Sequence, residues 1–191
     1  MTIAVVIPCR ETEDAYITLY SLCRQSVLPN EVHVIYDQGN GANWARNRGF
    51  ETVKTKYVLF SDNDIQWLPT ALESLQRTLE LNPECSVAYG WYMMDGQVIG
   101  NHVFNPRTLW GNNYISTMSL IRADHFPGFD ESLQRLQDWD LWLTMIERGH
   151  RFVFCPQQLF STKKRKGITF GNSISWEEAY AIVKAKHESK W

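Results

Sequence analysis

Three apolar runs that each end abruptly in a polar loop most narrow the folds open to this chain. Ile3-Ala4-Val5-Val6-Ile7 shows no polar alternation, the pattern of a strand covered on both faces in a parallel sheet. Val32-His33-Val34-Ile35-Tyr36 and Tyr57-Val58-Leu59-Phe60-Ser61 repeat it, stopping at Asp37-Gln38-Gly39-Asn40-Gly41 and at Asp62-Asn63-Asp64. Helical patterns lie between them. Thr12 is placed to cap a helix with Glu13 and Asp14 in its first turn and Tyr16, Leu19, Tyr20 and Cys23 along one stripe, ending near Pro29. Residues 44–50 predict a short helix, and Pro69 with the stripe Leu68, Leu72, Leu75 and Leu79 predicts a longer one that stops at Asn82-Pro83. Three βα units in succession imply an α/β fold, an open and mostly parallel sheet with right-handed crossovers. Ligands of such sheets lie beyond the carboxyl ends of the strands. Here those ends carry Pro8-Cys9-Arg10, Asp37 and Asp62-Asn63-Asp64.

The second half changes character. Residues 87–93 and 97–104 flank Asp95-Gly96, a strong turn pair, so a β-hairpin interrupts the alternation. Residues 114–121 read as another strand, 126–130 as a turn, and Gln137-Asp138-Trp139-Asp140-Leu141-Trp142 as the opening of a helix that closes at Gly149. Residues 151–154 predict a short final strand, residues 161–167 form a basic segment, and Ser175 with Glu178 makes a capping box for a last helix.

Composition excludes several classes. The 191 residues suit one domain, and 44% hydrophobic content with a formal net charge of -2 speaks against disorder and against a general affinity for nucleic acid. Cysteines at 9, 23, 85 and 155 form no C-x-x-C pair, which fits neither a zinc ribbon nor a disulfide framework and suits a reducing, cytoplasmic setting. No run reaches the 18 or so apolar residues of a membrane span.

The chemistry gathers on a few acids. Asp62 and Asp64, one residue apart at a strand end, offer oxygen ligands with which a hard divalent cation bridges protein to diphosphate. Asp138 falls at a helix start, where the macrodipole favours the carboxylate, so it is expected to be ionised and ready to accept a proton. Trp142, one turn on, shares its face and would give an aromatic platform.

Val6-Ile7-Pro8, Tyr36-Asp37, Ala45-Arg46-Asn47-Arg48-Gly49, Asp62-Asn63-Asp64, and Gly128-Phe129-Asp130-Glu131 leading to Gln137-Asp138-Trp139-Asp140 stand in an order that resembles GT-A (Rossmann-like) glycosyltransferases of family 2. The resemblance implies inverting transfer of a sugar from a nucleotide-diphosphate donor to a carbohydrate or other hydroxyl acceptor, assisted by Mn2+ or Mg2+. It implies that Pro8, Cys9, Arg10 and Asp37 hold base and ribose, Asp62 the ribose or metal, Asp64 the metal, and that Asp138 is the catalytic base. Arg46, Asn63, Trp142, Lys163 and Arg165 complete the expected nucleotide-sugar contacts. Residues 1–100 would form the donor half and 101–191 the acceptor half of one catalytic domain. The family's late metal histidine has no evident counterpart after Phe160, where Lys163, Lys164, Arg165 and Lys166 would screen the diphosphate instead. Two alternatives are a nucleotidyltransferase, which lacks its glycine-rich basic loop after the first strand, and a non-catalytic sugar-binding module, against which Asp64 and Asp138 together argue.

Overall fold

The computed structural model describes residues 2–163 and 174–188. Its centre is a mixed sheet. Strand β1 (Ile3–Cys9) lies between β2 (Glu31–Tyr36) and β3 (Tyr57–Phe60) and is parallel to both. Next to β3 come β7 (Leu120–Arg122), β5 (Val87–Met94), β8 (Phe152–Thr162) and β4 (Gln66–Trp67), with β6 (Gln97–Ile99) paired to β5 as a hairpin. The longest pairings, β1 with β2 and β5 with β8, are parallel, and the short contacts of β7 and β4 are antiparallel. Helices α1 (Tyr16–Leu22), α2 (Ala42–Phe50), α3 (Ala71–Leu81), α4 (Pro106–Gly111), α5 (Gln137–Glu147) and α6 (Trp176–His187) flank it. The expected α/β sheet with a hairpin is therefore present. Among the described residues no helix is long and apolar enough to cross a membrane.

The uninterrupted apolar runs explain the layering. Because side chains alternate along a strand, Ile3, Val5, Ile7, Tyr57 and Leu59 join one core with Leu72, Leu75 and Leu79 of α3. Val6, Val58 and Phe60 enter a second core on the opposite face, with Leu141, Trp142 and Met145 of α5. Helix α2 reaches this second face through Gly49, where an added Cβ would collide with the Val6 side chain of β1. A larger residue fits only if the side chains of Val6 and Ile35 give way.

Four local readings need correction. Helix α1 begins at Tyr16 and not after Thr12, and it is rolled the other way: Tyr16, Tyr20 and Cys23 are exposed while Thr18, Ser21 and Leu22 are buried. The cause is the loop after β3, whose backbone groups lack ladder partners. Thr18 Oγ1 donates to the Asp62 carbonyl at 2.8 Å and accepts the Ile65 N–H at 2.9 Å, and Ser21 Oγ accepts the Trp67 N–H at 3.1 Å. Satisfying those buried groups outweighs hiding two tyrosines. Of residues 114–121 only the end pairs, as β7; the remainder is irregular, tied by the Ser116 hydroxyl to the Met118 N–H. The hairpin's return strand ends at Ile99, just before Gly100 at φ 76°. Strand β8 runs to Thr162, because register shifts between Gly90 and Met93 let β5 follow it past the expected stop at 154.

The capping box at Ser175 and Glu178 is formed in both directions. It starts α6, which is then latched to α5. Val183 packs on Trp139 and Leu143, Lys186 Nζ lies 2.6 Å from Asp130 and 2.8 Å from Asp140, and His187 bridges Asp140 at 2.9 Å and Glu147 at 2.7 Å. Burial works against the charged imidazole of His187, and hydrogen bonds to Asp140 and Glu147 outweigh it, so its pKa is raised. A raised folded pKa contributes fully below the unfolded value of about 6.5 and is lost as pH rises through the folded value. Hydrogen exchange of α6 amides, corrected for intrinsic rates, should therefore accelerate as the pH is raised above neutrality. His187→Gln should flatten that dependence, and unchanged protection in the parent across the range would count against the latch.

Candidate active site

The order β2, β1, β3 brings three strand ends to one edge. The Asp37 N–H donates to the Cys9 carbonyl at 2.8 Å, and the Asp37 carboxylate accepts the Gly39 N–H at 3.1 Å, which turns the chain away after β2. Pro8 and Cys9 have buried side chains and form a wall; Arg10 is exposed. Burial, then the charges of Glu13, Asp14 and Asp37, push the Cys9 thiol up to about 11. A neutral thiol in an acidic surround is no nucleophile.

Beneath the loop after β3 lies a buried cation. Arg46 is 3% exposed; its Nη2 meets Asp62 Oδ1 at 2.8 Å, its Nη1 donates to Asn43 Oδ1 at 3.2 Å, and its guanidinium lies 5.3 Å from the Phe129 ring centroid. The Asn63 amide donates to Glu13 at 3.1 Å and to the Asp14 carbonyl at 3.0 Å. Both residues, expected as ligand contacts, are thus engaged in holding the loop. Asp64 is half-buried on the same loop. Among the described residues no group of three metal-binding side chains gathers. Two aspartates still suit Mg2+ or Mn2+, which take one or two carboxylates and complete their shell with phosphate and water. Asp62 has given one of its oxygens to Arg46.

Asp138 stands at the start of α5, just past Leu136, which adopts the left-handed conformation (φ 58°, ψ 25°). A non-glycine residue there costs about 1–2 kcal/mol and marks a turn that the surroundings impose. The macrodipole does not set the acidity of Asp138. Burial raises its carboxyl pKa, against the lowering effects of the Trp139 N–H at 2.9 Å, the Arg46 charge and the Asn113 amide. The Asn113 carbonyl oxygen accepts the Ile115 N–H at 3.0 Å, leaving its NH2 to donate to Asp138.

Tyr92, on the far half of β5, stacks on Phe160 with centroids 4.5 Å apart. Its hydroxyl is pushed up to about 12 by burial and then by the charges of Asp138 and Asp62. The Asp62 loop and Asp138 therefore share one tyrosine. On the Asp138 side is a cavity of about 230 Å3 lined by Tyr92, Asn113, Asp138, Trp139, Trp176 and Tyr180 among others.

Trp142 is not part of it. Its side chain is fully buried in the second core, with the indole N–H donating to the Ile115 carbonyl at 3.0 Å. One turn along, α5 has already dived under the sheet, so the platform expected from Trp142 is absent and Trp176 and Tyr180 of α6 stand at the cavity instead. Trp110 is covered by the Lys184 ammonium at 3.2 Å. Lys163 is exposed at the end of β8; Lys164, Arg165 and Lys166 lie outside the described residues. Tyr92 and Asn113 were missed for want of any local signal, and α6 was foreseen without any sign of which site it faces.

Because the Arg46 charge lowers the Asp138 pKa, its removal should raise that pKa further. Carboxyl 13C titration of Asp138 is expected to show a midpoint above the ordinary aspartate range of about 3.9 and a higher one in Arg46→Gln. Equal midpoints in the two proteins would dismiss the coupling.

The model of the family described as Glycosyl transferase family 2 matches residues 5–132. TuaG of Bacillus subtilis (strain 168), named as a candidate teichuronic acid biosynthesis glycosyltransferase, is 26% identical over 135 residues, 64% of this chain and 52% of TuaG. The chain thus spans about half the length of that curated relative. The structure of S. aureus TarS 1–349 in complex with UDP-GlcNAc superposes with a TM-score of 0.77 at 16% identity, covering 99% of this chain and 66% of that one. The TarS 1–349 complex with UDP gives 0.66 at 14% identity, covering 99% and 72%. These likenesses are of fold, the GT-A arrangement. With the family match running from β1 through the Asp62-Asn63-Asp64 loop to the segment that leads into α5, this chain belongs to glycosyl transferase family 2.

Proposed function

We propose that this chain transfers a sugar from a uridine-diphosphate sugar to an acceptor hydroxyl with inversion, Asp138 serving as general base. The observation that carries the reading is the cavity lined by both Asp138 and Tyr92, in a chain whose family match runs through the Asp62-Asn63-Asp64 loop. A donor held by the loop and an acceptor held in the cavity would meet across that tyrosine. The choice of uridine rests on the TarS complexes, and glycosyl transfer on the family.

Asp37 and the backbone of residues 8–10 would hold the nucleoside at the β2 and β1 ends, and Asp64, helped by Asp62, would hold Mg2+ or Mn2+. That cation would supply positive charge to the departing diphosphate. Glu13, Asp14, Asp37 and Asp62 make this edge acidic, so a diphosphate needs such compensation, to which exposed Arg10 and Lys163 add. In the cavity Asp138 would accept the hydroxyl proton as the acceptor oxygen bonds to the anomeric carbon. The bond from that carbon to the diphosphate oxygen breaks in the same displacement, and attack from the opposite face inverts the centre. The proton then passes to solvent. Burial assists, because a base whose pKa is lifted toward the working pH holds the proton more firmly in the transition state. The four free cysteines suit a reducing compartment, and a cytoplasmic site of action belongs to the same proposal.

Asp138→Asn is expected to lower transfer by roughly 100-fold or more while UDP binding in Mn2+ is kept, measured by nucleotide release and by calorimetry. Transfer at the parental rate would remove Asp138 from the mechanism. Asp64→Ala should weaken UDP binding in Mn2+ and matter little in chelator. Superimposable binding curves in Mn2+ would refute the metal role.

A further inference from the structure

The cavity beside Asp138 has a feature that the transfer reaction alone does not require. Trp139, Tyr180 and Trp176 form a continuous ring stack, with centroids 5.0 Å apart at each step and interplanar angles of 26° and 25°. Its inner end is fixed: Trp139 is 1% exposed and donates its indole N–H to the Leu109 carbonyl at 2.7 Å, and the Tyr180 hydroxyl donates to the Gly111 carbonyl at 3.3 Å. Its outer ring, Trp176, is 47% exposed. A large indole braced from behind and left half in water is unusual for packing alone.

We propose that Trp176 is the platform of an acceptor subsite for a pyranose ring, so that the acceptor is itself a carbohydrate; this deepens the transfer reading and rests on it. A sugar ring carries C–H bonds polarised by neighbouring oxygens, and a face of such bonds meets the electron-rich face of an indole favourably. The ring's hydroxyls then need polar partners at its edge; Asn112 lines the same cavity with an amide that can donate and accept, and Asn113 adds the second N–H that its bond to Asp138 does not use. The size agrees. At about 230 Å3 the cavity falls below the roughly 300–1,000 Å3 of sites for drug-sized ligands, room for a single ring with the rest of a chain outside. The cavity belongs to the acceptor and not the donor, because none of Pro8, Asp37, Asp62 or Asp64 lines it while Asp138 does. Trp176 is thus a binding residue for specificity, and Asp138 receives the proton of whichever hydroxyl the stacked ring presents.

Saturation-transfer NMR on the full chain, using the methyl β-glycosides of glucose, galactose and N-acetylglucosamine with glycerol as control, tests this without any donor. At least one glycoside should bind through its ring C–H protons, glycerol should not, and saturating UDP with Mn2+ should leave the signal in place. Trp176→Ala should raise the glycoside Kd roughly three- to ten-fold, and Trp176→Phe should keep most of the affinity. The Ser175 and Glu178 capping box is untouched by either change, and a melting curve confirms that each variant is folded. Absence of saturation transfer from all three glycosides, equal affinity in Trp176→Ala and parent, or displacement of the glycoside by UDP would each overturn the proposal. Failure of UDP itself to bind the parent would instead strike the transfer reading, so the two failures are separable.

Discussion

A guanidinium almost wholly removed from water needs a counter-charge and hydrogen bonds where it lies, and Arg46 finds them for Nη1 and Nη2, though not for its buried Nε, by joining the parts of the site. Asp62 takes one end of it and Asn43 another. Asn43 in turn donates to the carbonyls of Asp130 and Leu133 at 2.9 and 3.1 Å. One turn on, Asn47 accepts the Phe129 N–H and donates to the Phe129 carbonyl and to Glu131. The polar face of α2 therefore holds the loop after β3 on one side and the segment that leads to Asp138 on the other. Removing Asp62 would leave the buried Arg46 charge with the Asn43 side-chain carbonyl alone, a destabilisation that precedes any effect on a ligand. Motifs far apart in the chain occur together because one helix clamps both.

This clamp also decides what was legible beforehand. Strands β1 and β3 and helix α3 could be read because burial on both faces, or along one stripe, leaves an unbroken apolar pattern. The capping box of α6 could be read because it is a local exchange of hydrogen bonds. What failed were inferences about facing. Tyr16, Tyr20 and Cys23 form a helical stripe as good as any, yet α1 turns it outward, since Thr18 and Ser21 answer backbone groups some 44 to 47 residues away. Trp142 has the right spacing from Asp138 and the wrong depth, because spacing fixes the angle around a helix and not how quickly its axis descends into the core. Arg46 is a different case: it holds Asp62 of the loop, and its expected contact with the nucleotide sugar stays part of the proposal.

The acids of the site divide according to solvation. Asp62 keeps 42% of its side chain exposed and has a cation at 2.8 Å. Asp138 has no such direct partner, and the dipole and hydrogen bonds at its helix start only moderate the cost of burying it. One fold thus supplies a carboxylate paired with a fixed cation and another whose proton affinity is raised, a difference that supports the separate roles proposed for them. Tyr92, whose hydroxyl burial and both charges push up to about 12, stays neutral near neutral pH and adds no third charge.

Helix α6 brings the remaining side chains to the cavity. Trp176 and Tyr180 are in the first turns, whereas Val183, Lys186 and His187 are in the last. Asp140, two residues after Asp138, accepts both Lys186 and His187. The residues on either side of Trp139 therefore do opposite work, Asp138 facing the cavity and Asp140 fastening the helix that walls it. The helix is thus held twice, at its start by the stack of Tyr180 on Trp139 and the Tyr180 bond to Gly111, and at its end by the ion pairs of Lys186 and His187.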